Sequence, residues 1–137
     1  MANELNKEFD LHMELRGDVL YASCAGLKDS LSVSTKIVEE VSQEAENRGV
    51  SKVIIVEDFP NQLKTMEIFQ ICEIMARLFR RCTKVAHVDM SSSDLELNRF
   101  GETVAVNRGL RIRAFSRAGD AEAWLNRQPN NSNAREG

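Results

Sequence analysis

The apolar and polar positions of the chain fall into blocks whose period changes repeatedly. Residues 11–25, LHMELRGDVLYASCA, alternate apolar with polar or small side chains around Gly17-Asp18. That is the pattern of two half-buried strands, 11–15 and 19–25, joined by a tight hairpin. From residue 29 the spacing becomes helical, with Leu31, Ile37, Val38, Val41 and Ala45 on one face. Asp29 or Ser30 is placed to cap the first turn and Gly49 to stop the last. KVIIVEDF, residues 52–59, is a nearly unbroken β-branched run, as expected of a central strand covered on both faces, and Pro60 ends it.

The longest helical pattern spans residues 63–80. Glu67, Gln70, Glu73, Arg77 and Arg80 form one narrow polar stripe, while Met66, Ile68, Phe69, Ile71, Cys72, Met75 and their neighbours cover the rest. A helix resting on one face of a sheet needs an apolar stripe only about 100° wide. The surplus has to meet another helix, another subunit, a lipid surface or an apolar ligand.

KVAHVDM, residues 84–90, predicts a further strand. SSSDLELNRFGETVAVNRG then opens with Ser93 and Glu96 in capping-box spacing and turns Leu97, Phe100 and Val104 to one side, with Gly101 weakening the helix in its middle. LRIRAF is the last strand, after which Ser116 is placed to cap a short helix whose inward face is Ala121, Trp124 and Leu125. NRGV at 47–50 and NRGL at 107–110 both set a glycine after a helix and an apolar residue next, the signature of a Schellman exit. The order is β-β-α-β-α-β-α-β-α: an α/β fold with a mixed sheet of about five strands. Residues 1–9 are an N-terminal extension, 10–128 the domain, and 129–137 a polar tail whose composition predicts disorder.

Composition narrows the function. A chain of 137 residues suits one domain, and its net charge of -3, from 18 basic and 21 acidic side chains, argues against a nucleic-acid partner recognised by charge. Cys24, Cys72 and Cys82 are odd in number, lie in apolar stretches and lack CxxC spacing, as expected of reduced thiols in a cytosol. Charges interrupt the first ten residues and no 18-residue apolar run follows, so the expectation is a soluble, cytoplasmic protein.

Candidate chemistry is sparse. His12 and His87 sit in strand patterns without partners at metal-ligand spacing, so no metal is expected. A Cys24–His87 nucleophile pair lacks any feature that would lower the thiol pKa, and Cys24 reads as a buried structural thiol. No phosphate loop or GxSxG motif occurs. Glu57 and Asp58 lie at the carboxyl end of the central strand, where open α/β sheets hold their ligands. The same position also suits carboxylates that simply solvate a strand exit and face the start of the next helix.

The order of elements, together with KVAHVD, RFGETVAVNRG and RIRAFSRAGDAEAWL, resembles the SpoIIAA-like, or STAS-like, small bacterial proteins over roughly residues 11–128. The resemblance implies a mixed sheet with helices mainly on one face and no proven catalytic activity. It also implies binding of nonpolar ligands or association with membranes, through helices that open and close over an apolar cavity. Anti-sigma-factor antagonists of this type carry a phosphorylatable serine in a turn after the central strand. Here that place holds Asp58, Phe59, Pro60 and Asn61, which offer no hydroxyl.

The resulting expectation is a non-enzymatic binding module, without cofactor, for a nonpolar small molecule or lipid, with reversible membrane association as a further element. Its pocket walls are predicted at Phe59, Met66, Phe69, Met75 and Phe100, between the helix at 63–80 and the one around Gly101. Arg77, Arg80 and Arg81 are placed to meet a head group, as well as to complement a helix C-terminus. The alternative is a protein-interaction or homodimer module that uses the surplus apolar face as an interface. Trp124 is expected to anchor the last helix, with replacement by Ala costing about 3–5 kcal/mol.

Overall fold

A computed structural model describes residues 8–90 and 95–127. The strands are β1 (Asp10–Arg16), β2 (Val19–Ala25), β3 (Lys52–Asp58), β4 (Lys84–Asp89) and β5 (Ile112–Phe115). The helices are α1 (Leu31–Arg48), α2 (Thr65–Leu78), α3 (Leu95–Asn107) and α4 (Ala118–Leu125). The five strands lie side by side in chain order, β1 antiparallel to β2 and the others parallel. Three successive crossovers therefore advance in one direction along the sheet. A constant hand of crossover places α1, α2 and α3 on the same face.

The pleat sorts the strand side chains between two cores. Leu20, Ala22 and Cys24 of β2, Val53 and Ile55 of β3 and Val85 of β4 belong to the large core under α1, α2 and α3. Their alternates Val19, Ile54, Val56, Ala86 and Val88 pack with Ala121 and Leu125 of α4 on the opposite face. β3 and β4 are apolar at both phases because each side is covered, which is the reason their sequences read as near-continuous runs. At the β1 edge the second face carries charges instead: Arg16 Nε donates to Glu14 (2.6 Å), approaches Glu122 through its guanidinium (3.6 Å) and lies over the Tyr21 ring.

Both predicted Schellman exits form. Gly49, at φ 70°, donates to the Glu46 carbonyl and Val50 to that of Ala45; Gly109, at φ 91°, donates to Val106 and Leu110 to Ala105. These bonds satisfy carbonyls that would otherwise be orphaned and aim the chain straight into β3 and β5. At the start of α1, Ser30 is the cap, its Oγ accepting from the Val33 amide at 3.1 Å.

Three expectations differ from the structure. The helix predicted at 63–80 is shorter, Thr65–Leu78, because the Glu67 carboxylate accepts the Lys64 amide and fixes the start there. Ser116 does not cap α4; Arg117 occupies the cap position, and its carbonyl accepts from Ala121. At the other end of α4, Lys84 Nζ donates to the carbonyls of Trp124 (2.7 Å) and Arg127 (3.2 Å), a cation on a helix C-terminus. Phe9, assigned to the extension, packs against the large core. The Ser93 cap and the tail at 129–137 lie outside the described residues.

Trp124 is half-buried, its ring 5.7 Å from that of Phe115 and roofed by Lys84, whereas Ala121 and Leu125 are fully buried. The plug of the smaller core is thus Leu125, with Trp124 as its lid.

Candidate functional site

The same alternation that buries Val53 and Ile55 carries Glu57 onto the three-helix face, and in β4 it carries His87 and Asp89 there with Val85. Ile112 and Ala114 of β5 continue the surface. An apolar column thus turns polar at the carboxyl ends of β3 and β4. Above this surface α2 makes its close approaches to α1 and α3 rather than to the strands beneath. A cavity of about 110 Å³ remains between the three helices and the sheet.

One side of the cavity is hydrocarbon and sulfur, from Ile55, Phe59, Leu63, Ile68, Ile71, Cys72 and Met75. The Phe59 ring has to press on a glycine: a Cβ at Gly26 would stand 2.8 Å from Cε1 of that ring and 2.8 Å from the Glu8 carbonyl. Gly101 also belongs to the wall, at a looser approach. A Cβ there would lie 3.4 Å from Ile68 Cγ2, and the Gly101 carbonyl accepts from the Cys72 thiol at 3.3 Å. The middle of α3 thus meets α2 through Gly101 at a distance that leaves room for a methyl group.

The other end is polar. His87 Nε2 stands 3.1 Å from Glu57 Oε1, with the two side chains 24% and 20% exposed. Burial works against charge on the imidazole, yet the charge and hydrogen bond of Glu57, with contributions from Asp89 and Asp29, outweigh it and hold His87 above its ordinary value. Asp29, 7% exposed, accepts from the Ser30 amide and the Ser34 hydroxyl, each at 2.8 Å. Its loop is tied down by Asn61, which accepts from the Asp29 amide (2.7 Å) and donates to the Asp29 carbonyl (3.0 Å). Burial and the nearby Glu57 charge push the Asp29 carboxyl up to about 6, in spite of those bonds.

Of the residues predicted from sequence, Phe59 and Met75 line the cavity. Met66 stands outside at 70% exposure, on the first turn of α2. Phe69 lies under the Arg108 guanidinium, 4.4 Å from the ring centroid, in a clamp completed by Arg108 Nε to Glu73 at 3.4 Å. Phe100 packs against the large core without facing the cavity. Glu57 turns inward and Asp58 outward. Arg77, Arg80 and Arg81 are exposed and line no part of the cavity.

Cys24 donates to the Val56 carbonyl at 3.6 Å, and burial, with Glu57 and Asp29, raises its pKa strongly. Cys72 is likewise pushed up to about 11 by burial. Both shifts run opposite to that of an activated thiolate. The His87–Glu57 pair escaped the sequence reading because it joins two strands 30 residues apart. The period-two phase shared by Val85 with His87 and by Ile55 with Glu57 was the available signal.

No family model matches the chain, and no curated protein does. Among solved structures it is similar to an uncharacterized protein of the DUF3478 family from Shewanella loihica PV-4, which has a SpoIIAA-like fold. The two align with a TM-score of 0.54 and 11% identity over 86% of this chain and 94% of the other. The element order, the five-stranded mixed sheet and this alignment agree that the chain has a SpoIIAA-like fold.

Proposed function

We propose that the protein is a binding module that holds a small, largely apolar molecule in the cavity between α2, α3 and the carboxyl end of the sheet. The observation that carries this reading is the cavity itself, apolar on its helix side and hydrogen-bonding at one end, the usual composition of a small-molecule site. Size narrows the occupant. An apolar cavity of about 150 Å³ admits benzene, so the 110 Å³ found here suits a single small ring or short chain. A long acyl chain requires α2 and α3 to separate. Native mass spectrometry of the protein purified from cells, then solvent extraction, tests the reading. A released apolar molecule that is missing from an Ala114→Leu variant supports it. Unchanged occupancy in that variant rejects the cavity as the site.

A second reading concerns the cavity mouth. Leu27 (93% exposed), Met66 (70%) and Met90 (58%) follow the carboxyl ends of β2, β3 and β4, so all three project at one end of the molecule. That end would serve as a peripheral membrane contact through which an apolar ligand enters. Among the described residues no helix is long and apolar enough to cross a membrane. Flotation with neutral lipid vesicles that is lost in Leu27→Glu/Met66→Glu supports this contact, and absence of flotation in the unmodified protein rejects it.

A further inference from the structure

The charges around the cavity are strongly one-sided. Asp29, Glu57, Asp89 and Glu102 all belong to its lining, and among the described lining residues there is no lysine or arginine; His87 is the one basic side chain. All four carboxylates have partners within the protein, so what distinguishes this end is its balance of charge. Glu57 meets His87, and Glu102 accepts the Ala114 amide at 2.9 Å, which fixes it against β5. Asp29 accepts from neutral donors while 93% buried. One imidazole thus meets the charges of Glu57, Asp89 and Asp29, with Glu102 a fourth carboxylate in the lining, in a cavity whose other side is hydrocarbon.

We propose that this end selects a cationic head group, so that the ligand is a small ring or short chain bearing a primary ammonium or amidinium, seated against Glu57, Asp89 and Asp29 with its carbon skeleton under α2. The inference rests on the reading of the cavity as a ligand site and names the class that site takes. Its physical basis is repulsion and desolvation. A carboxylate ligand would bring a fifth anion into partly dehydrated surroundings, where like charges interact several-fold more strongly than in water. An ammonium would instead gain charge-assisted hydrogen bonds and relieve the crowding of Glu57 on Asp29. That crowding is already visible in Asp29, whose carboxyl is pushed up to about 6 by burial and by Glu57. A bound cation would draw it back down, so binding near pH 6 releases protons.

Three probes of one size separate the possibilities: cyclohexylammonium, cyclohexanol and cyclohexanecarboxylate, each titrated at pH 7.5 against the full chain by amide-resolved NMR. The ammonium is expected to give saturable shifts at Gly101 and Ala114, with affinity about tenfold or more above that of the alcohol. Asp89→Asn and Glu57→Gln should each lower the ammonium affinity by a similar factor and leave that of the alcohol unchanged. Should the alcohol or carboxylate bind as tightly as the ammonium, the charge selection is overturned while the cavity remains a binding site. Should none of the three saturate, the cavity reading and the inference fall together.

Discussion

His87 Nε2 lies 3.1 Å from Glu57 Oε1 across the β3–β4 pair, and a carboxylate at that distance holds the imidazolium above its ordinary pKa despite burial. Because the folded value is raised, the stabilisation is complete below about 6.5 and is lost as pH rises through the folded pKa. Asp29 has the same sign: its carboxyl is raised from 3.8 to about 6, so its contribution is complete below about 4 and gone above 6. Stability is therefore expected to fall in two steps, one between about pH 4 and 6 from Asp29 and one above about 6.5 from His87. Urea midpoints should show Asp29→Asn flattening the lower step and His87→Gln the upper. A wild-type profile that rises over this range would contradict both assignments.

Leu125 is fully buried against β3 and β4, whereas Trp124 keeps one side toward Lys84 and solvent. Leu125→Ala should lower stability by about 2–5 kcal/mol, and Trp124→Ala by less than Leu125→Ala. Chemical denaturation of the two variants checks the ranking, which is the reverse of the one expected from the tryptophan's size.

Gly26 and Gly101 leave different room for a methyl group, with opposite expected outcomes. At Gly26 a methyl group meets a backbone carbonyl and a buried ring at 2.8 Å, so Gly26→Ala should displace Phe59 and destabilise by about 1–3 kcal/mol. At Gly101 the nearest atom is 3.4 Å away, ordinary contact, and the position is inside a helix. Gly101→Ala should stabilise by about 0.5–1 kcal/mol. Thermal melts of the two variants should move in opposite directions.

Arg108 joins α3 to α2 through the Phe69 ring and Glu73. Arg108→Met, which keeps the stem but loses the charge, should cost about 0.5–1 kcal/mol, since the contact is partly exposed. Urea unfolding measures it.

The fold was legible where local chemistry and period agreed. The two NRG exits, the cap at Asp29 or Ser30, which falls on Ser30, and the doubly covered β3 all follow from short stretches of sequence, and each appears where its residues predict. The surplus apolar circumference of the 63–80 pattern was also legible, but its destination was not. α1 and α3 take much of it on either side, and the cavity takes Met75 and Ile68, a division that depends on helix spacing no local pattern encodes. Apolar size was a poor guide to the pocket for the same reason. Met66 and Phe69 lie on the same helix as Met75, yet one faces solvent and the other an arginine. The polar end was hidden more deeply, since Glu57 and His87 become neighbours only once β3 and β4 pair in register.

The position of α2, held by its two flanking helices above the sheet, bears on how the molecule opens. Strands β2, β3 and β4 are paired on both sides, so their amides are expected to exchange with solvent through global unfolding. An excursion of α2 breaks none of those ladders. Access to the interior is thereby separated from global unfolding: such an excursion has to break contacts such as Ile68 on Gly101 and Arg108 on Phe69, and a change there is expected to alter the rate of exchange with solvent while the register of the sheet stays intact.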